Sequence, residues 1–304
     1  MATVDENGVV TVSPNADFGE QAEITVWADG YSATCTVTVY GERFGLYIAG
    51  VQVTTLNMDD ILGDGLFSFD GMRTLSVRGT MQQPCTVSLI RNESVGELVI
   101  SVEEDANFSQ KYVTGTMVPL ISLKQTTSIT SHGGHLSLTG INYAIALSGG
   151  AMLRVMDADL TVKTTFASAA ICGSSATGYE SMIVSHSNLD VTGASSERFS
   201  SISDFGGGIM LYDCHIATPE GGRISDDNTS VVQADGTTAN HIIIKADVLK
   251  GDVNEDGSVD GVDVALLAQL LADGAAAEDY PQGDLSEDGH LTLTDLTLLV
   301  NQLK

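Results

Sequence analysis

Three stretches of the chain, AMLRVMDADLTVKT (151–164), SMIVSHSNLDVTG (181–193) and GIMLYDCHIATP (208–219), can be aligned with one another column by column. Their apolar residues form three columns, which are Leu153, Met182 and Ile209, then Val155, Val184 and Leu211, then Leu160, Leu189 and Ile216. The columns recur after 29 and then 27 residues. Short strand-like segments recur between them as YAIAL (143–147), SAAIC (168–172) and FSSIS (199–203). This pattern predicts a parallel β-helix, in which each column becomes a ladder of side chains spaced about 4.8 Å apart.

The repeat extends backwards through ITSHGGHLSLTG (129–140), where Ile129, Ser131 and Leu136 continue the columns. Gly, Ser and Asn at the bends agree with short strands joined by tight turns. Parallel crossovers are almost always right-handed, so we expect a right-handed coil. The stretch resembles the pectate-lyase-like β-helix architecture. The predicted fold class is therefore mainly β, with a parallel β-helix domain over residues 42–249.

Two polar columns flank the bend. One contains Asp157, His186 and Asp213, and the other contains His135, Asp159, Asn188 and His215. Between them lie the small residues Ala158, Ser187 and Cys214. Carboxylates one rung from imidazoles can form an acid–base pair or a cation site, so Asp157, His186 and Asp213 are the candidate catalytic residues. The favoured alternative is that both columns are solvated turn residues that hydrogen-bond neighbouring rungs.

The C-terminal segment is a second repeat, GDVNEDGSVDGVDVALLAQLL (251–271) followed by GDLSEDGHLTLTDLTLLVNQL (283–303). Each copy has an acidic loop and then an apolar helical run. The oxygen donors of the first loop follow a Ca²⁺-loop spacing, with side chains of Asp252, Asn254, Asp256, Asp260 and Asp263 and the backbone carbonyl of Ser258. The second loop offers Asp284, Ser286, Asp288, His290, Thr292 and Asp295 at the same positions. The two loops together predict two Ca²⁺ sites. The first loop has four carboxylates and the second has three, so we expect the second site to bind Ca²⁺ more weakly.

This segment, residues 250–304, resembles a dockerin, the module that anchors secreted bacterial proteins to a cohesin partner. The resemblance implies that Gly261, Val262, Leu293 and Thr294 choose the cohesin. These residues differ between the repeats, which argues against a symmetric two-way binding mode. The resemblance also implies an extracellular or cell-surface location. The start of the chain, MATVDENG, lacks an export signal, so we expect that an upstream part has been cut away.

Residues 1–41 read as three strands with alternating polarity and turns at Asn7-Gly8 and Asp29-Gly30. They resemble the second half of a bacterial immunoglobulin-like (Big2) domain, too short to close a two-sheet sandwich. Trp27, the only tryptophan, is expected to cover the incomplete core, and a sugar platform is the alternative.

The charge and the composition of the chain exclude some classes of binding partner. The net charge is −27, and 12 of the 40 acidic residues lie within residues 250–304, which argues against binding to nucleic acid or to an anionic membrane. No run of eighteen apolar residues predicts a membrane span. The four cysteines have no metal-binding spacing and are expected to be buried thiols.

Three functions compete. The preferred one is a secreted, non-catalytic β-helix attached through a dockerin to a cohesin and serving glycan binding or surface assembly. The second is a β-helix polysaccharide lyase or glycoside hydrolase delivered to a cellulosome-like complex. A lyase needs a basic residue beside its acids, and Arg154, Lys163 and Arg198 do not share their columns. The third is a surface structural protein whose Ca²⁺ loops form a stabilising cap without a cohesin.

Overall fold

The computed structural model describes residues 2–13, 16, 18–166, 169–193, 198–247, 249–255 and 257–304. The chain divides into two compact units, Met1–Ala246 and Asp247–Lys304. Neither helix of the described residues is long and apolar enough to cross a bilayer.

The first unit is built of strands. The N-terminal strands are β1 (Ala2–Val4), β2 (Val10–Val12), β3 (Gln21–Ala28), β4 (Tyr31–Thr38), β5 (Arg43–Ile48), β6 (Val51–Thr54) and β7 (Phe67–Phe69). The coil strands are β8 (Thr74–Pro84), β9 (Ile90–Asn92), β10 (Leu98–Lys111), β11 (Ile121–Leu123), β12 (Thr127–Ser131), β13 (His135–Gly140), β14 (Ile145–Leu147), β15 (Met152–Met156), β16 (Asp159–Thr164), β17 (Ile171–Ser175), β18 (Ser181–Ser185), β19 (Asn188–Thr192), β20 (Ile202–Phe205), β21 (Gly208–Tyr212) and β22 (Cys214–Thr218). The last are β23 (Arg223–Ile224), β24 (Val231–Val232) and β25 (His241–Ala246).

The coil strands stack in parallel into a β-solenoid of about five turns. One face has the order β10, β12, β15, β18, β21, and a second has β10, β13, β16, β19. The third face has the order β9, β11, β14, β17, β20. The long strands β8 and β10 run across the first two faces, with a register shift between Val102 and Ala106. In the later turns of the solenoid, the chain bends at the position of this register shift, so that two separate strands replace one long strand. The expected β-helix is confirmed, while its right hand stays a prediction.

Two of the three apolar columns are confirmed as ladders on these faces, and the third is continuous only from Leu160 to Leu189. Ile129 pairs with Val155, and the ladder continues through Val184 to Leu211. On the third face, Ile145, Ile171 and Ile202 are in register. Nearly all of these side chains are buried in one continuous core, which therefore runs along the axis of the solenoid. Ala158, Ser187 and Cys214 are buried at the bend, as expected of small inward-facing residues.

One part of the alignment is wrong. We expected Ile216 to lie directly against Leu189 and His215 against Asn188. Instead, β25 runs antiparallel between β19 and β22, so Ile244 lies between Leu189 and Ile216. The physical reason is the alternation of HIIIKA (241–246), which puts Ile242 and Ile244 into the core and leaves His241 and Lys245 exposed. A strand with this pattern fits the same pleated surface in either direction.

Both ends of the solenoid are covered. At the first coil, β5 pairs antiparallel with β9, and β7 pairs antiparallel with β8. At the last coil, Phe205 and Ile209 donate backbone hydrogen bonds to the carbonyls of Thr229 and Asn228. These coverings protect strand edges that would otherwise be free to pair with another chain.

The N-terminal residues form two antiparallel pairs, β1 with β2 and β3 with β4. Residues directly opposite in such a pair share a face. One face of the β3–β4 hairpin, here called the apolar hairpin face, consists of Ala22, Ile24, Val26, Ala28, Tyr31, Ala33, Cys35 and Val37. The other face carries Gln21, Glu23, Thr25, Trp27, Ser32, Thr34, Thr36 and Thr38. The likeness to an immunoglobulin-like domain stays a prediction.

Two expectations for this hairpin are wrong. Trp27 does not cover a core, because it lies on the polar face and is 73% exposed. Strand alternation decides this, since Trp27 is one residue out of step with Val26 and Ala28. Cys35 is an exposed thiol, whereas Cys85, Cys172 and Cys214 are buried as expected. Cys35 lies on the apolar hairpin face, most of whose residues are exposed within the described part of the chain.

Candidate functional site

The two C-terminal loops share left-handed backbone at two equivalent positions. The fourth residue of each, Glu255 and Glu287, has a φ of 58°. The sixth residue, Gly257 and Gly289, has φ values of 85° and 80°. The sharp turn expected at Gly257 is thus present in both repeats, where glycine adopts a left-handed conformation without a Cβ penalty. The two repeats therefore turn sharply at the same two loop positions.

The first loop is organised by two buried aspartates. Asp263, which is fully buried, accepts hydrogen bonds from the backbone N–H groups of Val253 at 2.8 Å and Asn254 at 3.1 Å through Oδ1. Its Oδ2 accepts from the N–H of Asp260 at 2.8 Å. Asp252 accepts from the N–H of Gly257 at 2.8 Å. The first and last positions of the loop are therefore drawn inward and held by backbone donors.

The second loop repeats this arrangement. Asp295 is fully buried and accepts from the N–H groups of Ser286 and Thr292, both at 2.8 Å. Asp284 accepts from the N–H of Gly289 at 2.9 Å and of Asp288 at 3.2 Å. Burial is the largest influence on the pKa of Asp295 and raises it, but hydrogen bonds from Ser286 and Thr292 together lower this pKa below its usual value. Asp295 is therefore ionised at neutral pH, as a cation ligand must be.

The last position of each loop also lies in the first turn of a helix. The helices are α1 (Gly261–Asp273) and α2 (Leu293–Gln302), with Asp260 and Thr292 as their N-caps. Asp263 and Asp295 complete a capping box in each repeat by accepting from the N-cap N–H. Sequence reasoning missed this second role, although a polar residue followed three positions later by an acid was its signal. A change at either aspartate would therefore disturb the loop and the helix start together.

The remaining predicted ligands differ in exposure. Asn254 and Ser286 are half-buried, whereas Ser258, Asp260, Asp288 and His290 are exposed. Asp256 lies outside the described residues. Within the described part of the chain, no three acidic, histidine or cysteine side chains are grouped closely enough to hold a metal by themselves. Besides its carboxylates, the predicted set of ligands contains amide, hydroxyl and backbone oxygens. These oxygen donors suit a hard cation such as Ca²⁺.

A lysine that the sequence did not single out holds the second loop. The ammonium group of Lys250 donates to the backbone carbonyls of Asp284 at 2.9 Å and Pro281 at 3.1 Å. Close by, Gln282 donates to the Glu255 carboxylate at 3.0 Å and accepts through its backbone carbonyl from the N–H of Gly251. These contacts tie the entry of the first repeat to the entry of the second. Lysine and glutamine at these places carry no recognisable sequence pattern, which is why they were missed.

The residues predicted to meet a partner are all exposed. Val262 is 57% exposed and Leu293 is 74% exposed, and Gly261 and Thr294 lie beside them. Beneath the helices, the core of this unit is small and contains Val253, Leu267, Leu270 and Leu299. The apolar side chains left at the surface are more numerous on the second helix and its end, where Leu293, Leu298, Val300 and Leu303 are exposed.

The polar columns of the solenoid line an open groove of about 360 Å³. In it, Nδ1 of His135 lies 3.2 Å from Oδ2 of Asp159, and Nδ1 of His186 lies 3.9 Å from Oδ1 of Asp157. The structure thus brings Asp157 and His186 together. Asp213 does not line this groove, because it belongs to the next coil.

The backbone explains why these residue types occupy the bend. Asp157, His186 and Asp213 have φ values of 48°, 47° and 50°, in the left-handed region. Asp, Asn and His are the side chains that most readily adopt this conformation after glycine. His135 is further held by a contact of 3.1 Å between Nε2 and the Thr161 hydroxyl. The backbone conformation alone therefore accounts for Asp157, His186 and Asp213 at the bend, and no catalytic role is needed to explain them.

The basic residues that a lyase would need are not in the groove. The guanidinium of Arg154 is 2.6 Å from the Glu97 carboxylate, and that of Arg198 lies over the Phe199 ring. Lys163 is exposed on β16 and is absent from the lining of the groove. Among the described residues, the groove can hydrogen-bond a polar ligand, but the groups beside its acids are the imidazoles of His135 and His186, and its lining contains no lysine or arginine.

Residues 250–304 match the family described as the dockerin type I domain. Neither the curated proteins nor the solved structures provide a significant match to the chain.

Proposed function

We propose that this chain, whose residues 250–304 are a dockerin type I domain, binds a cohesin module and so attaches its β-solenoid to a cellulosome-type assembly. The observation that carries the proposal is the pair of loop–helix repeats, which share left-handed backbone at two positions and have buried terminal aspartates. Dockerin proteins are typically extracellular or bound to the cell surface, so we place the assembly outside the cell.

The proposal includes two Ca²⁺ sites. Asp252, Asn254, Asp256, Ser258, Asp260 and Asp263 would hold the first ion, and Asp284, Ser286, Asp288, His290, Thr292 and Asp295 the second. Bound Ca²⁺ supplies a centre of positive charge that oxygen ligands surround. Because Asp263 and Asp295 also cap the helices, occupied loops would fix where α1 and α2 begin. The second site has fewer carboxylates and is the weaker of the two.

The exposed surfaces favour one binding orientation. At the equivalent place of the two repeats, the first offers Gly261 and Val262 and the second offers Leu293 and Thr294. The second helix also presents more apolar surface. Apolar side chains at the centre of an interface supply most of its binding energy. We therefore propose that the second repeat makes the main cohesin contact.

Capture on immobilised type I cohesin modules tests the proposal. We expect the chain to bind at least one cohesin of a panel in Ca²⁺ and to be released by chelator. Leu293→Asp should weaken binding at least tenfold, because it buries a charge in an apolar contact, and Val262→Asp should have a smaller effect. Ala276→Asp, which is an exposed change between the helices, serves as the matched control.

Two results would contradict this. If the panel captures nothing while both loops bind Ca²⁺, the module acts only as a stabilising cap. If Val262→Asp weakens capture more than Leu293→Asp, the first repeat dominates the contact.

For the solenoid we propose a non-catalytic role in glycan binding or surface assembly. The left-handed bends that account for Asp157 and His186, and the engagement of Arg154 with Glu97, support this role. A polysaccharide screen should release neither reducing nor unsaturated sugar ends. Product that disappears in Asp157→Ala, but not in Asp213→Ala, would instead identify the groove as a lyase or hydrolase site.

A further inference from the structure

The third face of the solenoid carries a pocket that lies apart from the polar groove. Its volume is about 410 Å³, and pockets for small ligands have volumes of about 300–1,000 Å³. Ala146 and Cys172 line it and are in register on β14 and β17. They alternate with Ile145 and Ile171, which are buried in the core, so they lie on the outer side of the sheet. The outer side of this face therefore has small side chains where a cavity is left open.

Aromatic and apolar side chains form much of the remaining lining. Tyr143 and Phe199 supply two half-buried rings, and Met117 and Pro119 add further apolar surface. The Arg198 guanidinium lies 5.1 Å from the centroid of the Phe199 ring but is not part of the lining. Aromatic rings offer a large, flat apolar surface on which a ligand ring can pack. The pocket can therefore remove the apolar face of a ring-shaped ligand from water.

The polar groups of the pocket are placed to accept hydrogen bonds. Asp204 is half-buried, and its carboxylate accepts from the hydroxyl of Ser203 at 3.3 Å. The hydroxyl of Ser174 donates to the buried carboxylate of Glu180 at 2.8 Å, so its oxygen is left as an acceptor. Among the described residues, the lining contains no lysine or arginine. Such a set of acceptors favours a ligand that donates several hydrogen bonds.

The titratable neighbours of Asp204 stay neutral at pH 7. Burial, followed by the charges of Cys172 and Asp204, raises the pKa of Tyr143. Burial, with a further contribution from Asp204, raises the pKa of Cys172 to about 12. The negative charge of the described lining therefore belongs to Asp204, which is the carboxylate in it.

We propose that this pocket binds an uncharged sugar unit, whose ring packs on Tyr143 and Phe199 and whose hydroxyls donate to Asp204. The inference rests on the glycan-binding role proposed for the solenoid and gives that role a place and a ligand class. A sugar acid would bring a carboxylate towards Asp204 in a chain of net charge −27, and like charges repel. The pocket therefore selects neutral over acidic polysaccharides.

Affinity electrophoresis of the full chain in Ca²⁺ tests this, with xylan, galactomannan, hydroxyethylcellulose, chitosan or polygalacturonate in the gel. We expect at least one neutral polysaccharide to retard the chain and polygalacturonate not to retard it. Asp204→Asn should weaken retention by the neutral polysaccharide about tenfold, because hydrogen bonds to a charged acceptor are lost. Asparagine also tolerates the left-handed backbone at this position, where φ is 65°.

Two matched controls accompany the pocket variants. Asp29→Asn makes the same change at an exposed position with a φ of 49°, and it should bind as wild type does. Phe199→Leu removes a ring from the pocket and should weaken retention severalfold, whereas Tyr212→Leu removes an exposed ring elsewhere and should not. Capture on cohesin should be the same for all four variants, so a defect in attachment is seen separately from a defect in the pocket.

Any of three results would overturn the proposal. If no polysaccharide retards a chain that cohesin captures, the attachment stands and the glycan-binding role falls together with the pocket. If a neutral polysaccharide retards wild type, Asp204→Asn and Phe199→Leu equally, glycan binding belongs to another surface of the solenoid. If only the cationic chitosan retards the chain, attraction to negative charge accounts for the binding. Failed capture with the expected retention pattern would leave the pocket in place and remove the cohesin attachment.

Discussion

At the residue scale, Glu180 is a carboxylate that the solenoid buries almost completely. Its oxygens accept from the N–H of Gly150 at 3.0 Å and the hydroxyl of Ser174 at 2.8 Å. Burial has the largest influence on the pKa of Glu180 and raises it, but these hydrogen bonds together lower the pKa below its usual value. The charged form is therefore favoured in the folded state. Its contribution to stability is present above the unfolded pKa and is lost as the pH falls through the folded pKa.

Glu180→Gln should accordingly lower the free energy of unfolding by about 1–3 kcal/mol at pH 7, since hydrogen bonds to a charged group are lost. The difference from wild type should shrink in acid, once the wild-type carboxyl is protonated. Denaturant unfolding at neutral and acidic pH measures both values. Glu220→Gln, at an exposed site, is the control and should change neither. An equal loss at both pH values would show that the charge is not responsible.

At the element scale, β25 is the strand that most depends on its neighbours. Ile244 is fully buried between Leu189 and Ile216, whereas the adjacent Ile243 is on the opposite, half-buried face. Ile244→Ala should therefore lower the free energy of unfolding by about 2–5 kcal/mol through a cavity in the core. Ile243→Ala, with the same change in chemistry, should cost clearly less. Chemical denaturation followed by circular dichroism compares them, and equal losses would be inconsistent with the inserted strand.

Strand β25 also shows which parts of the fold the sequence pattern could predict and which it could not. The ladders from Ile129 to Leu211 could be predicted, because parallel strands of equal spacing must place equivalent residues side by side. The antiparallel insertion of HIIIKA could not, since alternation fixes which face is buried but not strand direction. For the polar columns, sequence placed Asp157 near His186. It did not reveal that left-handed backbone selects these residue types, because a Gly-free bend leaves no obvious marker.

At the scale of the whole molecule, the two units have very different cores. The solenoid buries one continuous core along its length, whereas the buried cluster of the C-terminal unit consists, among its described residues, of Val253, Leu267, Leu270 and Leu299. The sequence predicted the Ca²⁺ loops because their ligand spacing is local. It could not show how Lys250 and Gln282 join the repeats, since those contacts link residues about 30 positions apart.

This difference predicts separate responses to chelation. A unit with so small a core needs another source of stability, and Ca²⁺ binding free energy adds directly to folding free energy. Removing Ca²⁺ should therefore unfold residues 250–304, with loss of helical circular dichroism, while hydrogen exchange in residues 42–246 stays unchanged. Titration back should show two sites of unequal affinity, and Asp295→Asn should affect the weaker one. A single cooperative transition of the whole chain on chelation would contradict the independence of the units.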